Sequence, residues 1–434
     1  MKKIITLFAV LICMQSLTAQ LPEYRRSSLY SILIQHPEKE YYDELAVVFH
    51  SMPVPDKFDD HNLNIRVLNY SEISGTIVYD SMSYVTLKLF SNDYWTDFTE
   101  LNSTPLKPAE TVNYVTNWLQ ANGVARRLVA KWFDRDKADG SFGMNLIAQR
   151  GLYDASAIDV AMARESVRGI NLLEDAGEEL IGNTFVIVND INYIDKEAQA
   201  QRTKNFIEAV GAVAAAAGGY GTQISQLSTL GSMVSGSIVG FSVSITTHLY
   251  RLDWDEETAN NFYQTYYYDR QSLSPERKEA FDKDLSMFSL TYIGSCESKS
   301  AKTTIRYAYT SEDMIRKVCT RAIDNNIVAL QRKYDFFKVK IPLTGATPLK
   351  APVGVKEGVS SRSQFEVLER IEDASGRTTY RRTGVIKPVS GKIWDNTYMA
   401  TEEGIKNANL DATEFKRVSG GPFAAGMLIR EIKF

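Results

Sequence analysis

The chain lacks most of the motifs on which common catalytic centres depend. Its four histidines lie far apart among 434 residues, and none belongs to a His-Glu-x-x-His pair. The nucleophile elbow Gly-x-Ser-x-Gly and the Gly-Lys-Ser/Thr phosphate loop are both absent. Gly219-Tyr-Gly221 lacks the third glycine of a dinucleotide fingerprint. We therefore predict no catalytic, cofactor-binding or metal-ligating residue, and we do not expect an enzyme.

An excess of either charge is also missing. The chain has 49 basic and 53 acidic residues, a net charge of −4, so nothing in its overall charge favours nucleic acid as a partner. Apolar residues make up 44% and charged residues 24%, as in ordinary globular proteins. This composition excludes a wholly disordered chain and a helical membrane protein with many spans. At roughly 150 residues per domain, the length predicts two or three domains.

Charged residues are absent altogether from residues 209–250, which also contain seven glycines. Three interpretations remain open. The stretch could form a buried helical hairpin, since small residues let helices pack closely. It could be a hairpin that enters a membrane as part of an oligomeric ring, because one hairpin cannot close a barrel. It could also be a mobile loop that orders on a partner. We expect the buried hairpin.

The first residues have the pattern of an export signal. Lys2 and Lys3 precede an apolar run from Ile4 to Met14, and the small residue Ala19 ends the segment that follows. A basic start, a short apolar core and a small final residue predict a signal peptide at 1–19. The run is shorter than the roughly 20 residues that span a bilayer. We expect export to the periplasm or cell surface, with outer-membrane association left open.

Two cysteines remain after this signal. Cys296 ends a predicted strand and Cys319 lies on a predicted helix. An even number of cysteines in an oxidising compartment permits a disulfide that would join the helix to the sheet. Two separate buried thiols are the alternative.

Residues 20–135 and 136–341 predict a mixed α+β body. Asn183–Ile191 is rich in β-branched residues and almost continuously apolar, as buried strands are. Phe241–Leu252 alternates apolar and polar residues and could pair with it. Ser27 and Ser28 suggest the start of a short helix that runs to His36. Further predicted helices cover 41–50, 112–119, 125–133, 256–267, 274–285 and 311–334.

The composition changes at Pro342. Residues 342–358 carry three prolines and three glycines, the mark of a linker or a domain entry. Short alternating segments with glycine-containing turns follow, which predicts a small SH3-like or OB-like β-barrel over 342–434. The five predicted strands cover 364–371, 379–387, 392–394, 414–418 and 427–432.

Two side-chain clusters each permit a functional interpretation and a structural one. Asp56, Asp59, Asp60 and His61 offer hard-cation ligands, but their spacing does not match an EF-hand. A solvated turn with Asx capping is the favoured interpretation. Aromatic residues crowd one predicted helix and could stack on a sugar or anchor a partner, although their helical spacing favours the core. They are Trp254, Phe262, Tyr263, Tyr266, Tyr267 and Tyr268. Trp394 is expected in the barrel core.

These patterns favour an exported cell-envelope protein of non-enzymatic binding or assembly type. Its expected partners are other envelope proteins or copies of itself, with membrane contact through 209–250 left open and no nucleic acid. One alternative is an envelope hydrolase for glycan or peptide that uses Asp190, Asp195 or the carboxylates around Asp59. An acidic pair facing a cleft would favour this hydrolase. Another alternative is a subunit of an oligomeric pore or secretion-linked ring that inserts 209–250.

Overall fold

The computed structural model describes residues 27–36, 42–52, 54–63, 66–69, 108–151, 177–178, 180–195, 238–305, 311–372 and 378–433. The predicted signal peptide at 1–19 and residues 209–237 of the uncharged stretch lie outside these ranges. The structure contains both helices and sheets, so it is a mixed α+β protein as predicted.

The first sheet has six strands in the order β2-β1-β4-β5-β6, and β3 also pairs with β1. The three strands that pair with β1 run parallel to it, whereas β5 runs antiparallel to its neighbours β4 and β6. It takes strands from both 20–135 and 136–341. The strands are β1 Ser28–Gln35, β2 Asp59–Asp60, β3 Val67–Asn69, β4 Thr184–Asp195, β5 Ile238–Leu252 and β6 Leu290–Ile305.

Helices cover both faces of this sheet. On one face, Tyr30 and Val186 join a core formed with α2, α3, α5 and α6. On the other face, Leu29 and Phe185 join a second core formed with α1 and α7. Successive strand residues point to opposite faces, so both faces of β1 and β4 are buried. The helices are α1 Tyr42–Ser51, α2 Pro108–Ala121, α3 Val124–Trp132, α4 Asn145–Gly151, α5 Glu256–Thr265, α6 Pro275–Lys283 and α7 Ser311–Lys333.

The prediction of a helix over 27–36 was wrong, because Ser28–Gln35 forms strand β1. Its residues are paired with β4 from Ser28 to Ile34 and buried on both faces. A short apolar run that is buried on two sides has no period that separates helix from strand. Tertiary pairing therefore decided the conformation.

The other helices and strands predicted for the described part of the body agree with the structure. β4 and β5 pair antiparallel from Phe185 to Asp195, and α7 matches the helix predicted at 311–334. The aromatic cluster is core: Phe262 is fully buried, and its ring centroid lies 4.4 Å from that of Phe133. Among the described helices, none is both long enough and apolar enough to cross a membrane.

The second sheet has seven strands in the order β7-β13-β10-β11-β12-β9-β8, and it curls into a half-barrel. Its core includes Phe365, Val367, Ile386, Phe415 and Ile429. The strands are β7 Ile341–Pro342, β8 Gly345–Ala346, β9 Leu349–Ala351, β10 Gln364–Glu372, β11 Thr378–Pro388, β12 Thr413–Gly420 and β13 Leu428–Lys433.

One expectation for this sheet was wrong. The strand predicted at 392–394 is absent, because Trp394 makes only an isolated bridge with Gly354. Trp394 is half-buried, and its neighbour Ile393 packs against the core instead. The proline-rich stretch 342–358 contributes short strands of the sheet, since proline is tolerated at strand ends and edges.

Candidate functional site

Helix α7 lies between the two sheets and presents a different face to each. Its apolar residues pack in the second core, where Val318 and Ala322 are buried against the first sheet. Four of its charged residues, Lys317, Arg321, Asp324 and Arg332, follow one another at intervals of four, three and eight, which places them on one side of a helix. This charged side faces the loops of the second sheet.

Ion pairs attach those loops to α7. Lys317, which is 1% exposed, and Arg321 both pair with Glu403. Near the end of the helix, Arg332 donates from Nε and Nη2 to the two carboxylate oxygens of Glu431, each at 3.1 Å. Bidentate pairs between guanidinium and carboxylate groups fix orientation as well as distance. The second sheet is therefore held against α7 in a defined position.

A cavity of about 240 Å³ lies at this junction. Apolar side chains from α1, β4 and α7 form one part of its wall, and polar side chains form the rest. The apolar residues are Phe49, Met52, Pro55, Ile187 and Ile323. The polar residues are Ser31, Asp56, Arg66, Thr320, Asp324, Lys356, Asn396 and Tyr398.

The loops of the second sheet position Lys356 at the cavity. The Lys356 backbone N–H donates to Asn396 Oδ1 at 2.9 Å, and Asn396 Nδ2 donates to Glu357 Oε2 at 2.8 Å. Glu357 Oε2 also accepts from the Gly354 N–H at 2.7 Å. These bonds lock the 354–357 turn to the 394–398 loop.

The two basic groups of the cavity already have protein partners. Lys356 Nζ lies 3.3 Å from Asp56 Oδ2. Arg66 Nη1 donates to the carbonyl oxygens of His50 at 2.8 Å and Met52 at 3.1 Å. The last carbonyls of a helix lack partners within the helix and attract positive charge. Arg66 therefore caps α1.

Asp324 differs from these groups. It is 9% exposed, and within the described part of the chain its carboxyl has neither a hydrogen bond nor an ion pair. Burial raises the pKa of Asp324 to about 7, while the charge of Lys356 acts in the opposite direction. Buried polar groups in proteins are almost always hydrogen-bonded. An unpaired buried carboxyl that faces a cavity is therefore a candidate ligand group.

The cluster predicted from the sequence at 56–61 does not converge. Asp56 faces the cavity, whereas Asp59 Oδ2 lies 3.6 Å from Arg150 Nε. Asp60 Oδ1 accepts the Asn62 N–H at 2.9 Å, which is the contact of an Asx turn. Among the described residues, no three His, Cys, Asp or Glu side chains form a group that could hold a metal ion.

His61 points away from this turn into the first core. It is fully buried, and its Nε2 lies 3.0 Å from the Leu128 carbonyl oxygen. Burial lowers the pKa of His61 well below its usual value.

Asp190 and the cysteines lie elsewhere. Asp190 Oδ1 is 2.7 Å from His36 Nε2, at the end of β1, and it does not line the junction cavity. The side chain of Asp195 lies outside the described residues. Cys296 and Cys319 are free thiols, so the structure has the two separate thiols rather than the disulfide.

The sequence prediction missed Asp324 and Lys356. Asp324 looks like any other charged residue of a helix, and Lys356 lies in a stretch interpreted as a linker or a domain entry. The available signal was the position of Asp324 directly after the apolar Ile323, in a helix where Lys317, Arg321 and Arg332 lie on the same side. Models of known protein families give no match to this chain, and curated proteins give none either.

Proposed function

We propose that this chain is a non-enzymatic protein of the cell envelope that works by binding, with the junction cavity as its ligand site. The unpaired, buried carboxyl of Asp324 is the observation that carries this proposal. Burying such a group without a partner costs free energy, and a bound ligand would supply the missing partner. Ligand pockets typically combine an apolar wall with a few convergent polar groups, as this cavity does.

The size of the cavity limits the ligand. Pockets for drug-sized molecules enclose roughly 300–1,000 Å³, and this cavity encloses about 240 Å³. It suits a small molecule. The export pattern at 1–19 supports an envelope location, and fractionation that finds the protein in the cytoplasm would overturn it. Contact with other envelope proteins or copies of itself, and membrane contact through 209–250, remain part of the proposal.

The curled second sheet supports a related proposal about the fold. We infer that this half-barrel is a variant of the small SH3-like or OB-like barrels, because its short antiparallel strands enclose one apolar core.

A cavity-filling variant tests the binding proposal. Thr320 lines the cavity from α7, and Thr320→Met would occupy part of it. Ala329→Met is the matched control, because Ala329 is exposed on the same helix. Saturation-transfer NMR with a library of small fragments should give hits that Thr320→Met removes and Ala329→Met retains. If the filled variant keeps every hit, the cavity is not the site.

Hydrolysis is the second candidate, because Asp56 and Asp324 form an acidic pair that faces one cavity. Burial raises the pKa of Asp324 to about 7, so a large fraction of the molecules keeps this proton near neutral pH, as a proton donor requires, while Asp56 would act as the base. Turnover of an envelope glycan or peptide that both Asp56→Asn and Asp324→Asn abolish would favour this function over binding alone.

A further inference from the structure

Most polar side chains around the cavity already have hydrogen-bond or ion-pair partners within the protein. Thr320 Oγ1 donates to the Arg316 carbonyl oxygen at 2.7 Å, and Ser31 Oγ accepts from Asn189 Nδ2 at 3.3 Å. Lys356, Arg66 and Asn396 are engaged as described above. Asp324 is thus the carboxyl of the cavity that has neither a hydrogen bond nor an ion pair within the described chain, although the charge of Lys356 acts on it.

The chemistry of the Asp324 carboxylate defines which ligand could pair with it. An ionised carboxylate only accepts hydrogen bonds, so its partner must donate them. A donor that also carries positive charge forms shorter and stronger hydrogen bonds with it than a neutral donor does. Beside Asp324, the neighbouring Ile323 and the side chains of Phe49 and Met52 offer an apolar surface. The ligand therefore needs a cationic end and an aliphatic body.

We infer that the junction cavity binds a small aliphatic primary amine, whose ammonium group pairs with the Asp324 carboxylate and whose body lies against Phe49, Met52 and Ile323. This inference rests on the proposed function of the cavity as a ligand site. It goes beyond that function by naming the chemical class of the ligand.

Binding of the amine is coupled to release of a proton from Asp324. Lys356 and Arg321 lower the pKa of this carboxyl, Glu357 and Asp56 raise it, and burial outweighs them all to bring it to about 7. An aliphatic amine, with a pKa near 10.4, stays protonated. At about pH 7, roughly half a proton should leave per ligand bound, and almost none at about pH 8. Below about pH 6, affinity should fall roughly tenfold per pH unit.

Three ligands with the same carbon skeleton test the preference for a cation. Isothermal titration of the chain from residue 20 should compare isoamylamine, isoamyl alcohol and isovalerate. Two buffers with different ionisation enthalpies report the released proton. We expect isoamylamine to bind at least roughly tenfold more tightly than the other two. Asp324→Asn should reduce its affinity to that of the alcohol, whereas Asp411→Asn, a change at an exposed carboxyl, should not.

The outcomes separate this inference from the proposed function. Equal binding of all three ligands, lost in Thr320→Met, would overturn the preference for amines while the cavity stays a ligand site. Absence of isoamylamine binding up to roughly 10 mM, which corresponds to less than about 3 kcal/mol of affinity, would also overturn it. The fragment experiment then decides the proposed function independently. Tight binding of isoamylamine without proton release at about pH 7 would exclude Asp324 as its partner.

Discussion

Replacement of Asp324 by asparagine is expected to stabilise the protein at neutral and alkaline pH. The side chain is 9% exposed, and burial raises its pKa from the ordinary 3.8 to about 7. The folded state therefore holds this proton more tightly than the unfolded state does. The resulting stability is fully present below pH 3.8 and is lost as the pH rises to about 7.

The size of the effect follows from the same two values. One pKa unit corresponds to about 1.4 kcal/mol, so the whole loss is on the order of 4 kcal/mol. By about pH 5 the native protein has lost roughly 1.5 kcal/mol of it, and by about pH 8 all of it. Asparagine has no proton to lose. The free energy of unfolding of Asp324→Asn, relative to the native protein, should thus rise by about 2–3 kcal/mol between these two pH values.

Urea unfolding of the chain from residue 20, followed by tryptophan fluorescence at both pH values, measures this difference. A difference in the free energy of unfolding that is the same at both pH values would come from the amide itself. Only the change of this difference with pH reports the proton on Asp324. The exposed Asp411 supplies the matched control, and Asp411→Asn should leave the stability unchanged at both values. Parallel dependence on pH for Asp324→Asn and the native protein would refute the reasoning.

Three further predictions concern other parts of the fold. Burial raises the pKa of Cys296 to about 11 and that of Cys319 to about 12, so Ellman's reagent should react with both thiols only after unfolding. Burial lowers the pKa of His248, so its contribution to stability should decline as the pH falls below 6.5, and His248→Gln should weaken that decline in urea unfolding. Arg332→Ala removes the bidentate pair that joins α7 to β13 and should cost about 1–2 kcal/mol in urea unfolding, against less than about 0.5 kcal/mol for Arg381→Ala, whose ion pair is exposed. Disulfide-linked peptides would contradict the expectation for the cysteines. An unchanged pH profile of His248→Gln would contradict that for His248, and equal losses of stability for the two arginine variants would contradict that for Arg332.

Local patterns predicted the elements that have a clear period or cap. The side chain of Ser274 accepts the Arg277 N–H, and Pro275 occupies the first turn, as the start predicted for α6 requires. Strict alternation identified β5, and the acidic start of α7 agreed with the helix dipole. These signals lie within a few residues of one another, so they do not depend on what packs around them.

Elements that are defined by long-range contacts were harder to predict. The 28–35 segment became a strand because β4 supplies its hydrogen bonds over a separation of about 150 residues. Trp394 is only half-buried, and its backbone makes an isolated bridge with Gly354, 40 positions away, in place of a strand. Neither partner can be inferred from the residues next to these positions.

By itself, the sequence determined the mixed α+β class, the main helices and the strands β4 and β5, because periodicity and caps are local properties. It did not distinguish Asp324 from the other charged residues of α7. Only the tertiary structure covered the charged side of α7 with the loops of the second sheet, and so turned an ordinary helical charge into a buried carboxyl. Burial depends on what lies opposite a residue, and for Asp324 the opposite residue, Lys356, is 32 positions away in the sequence.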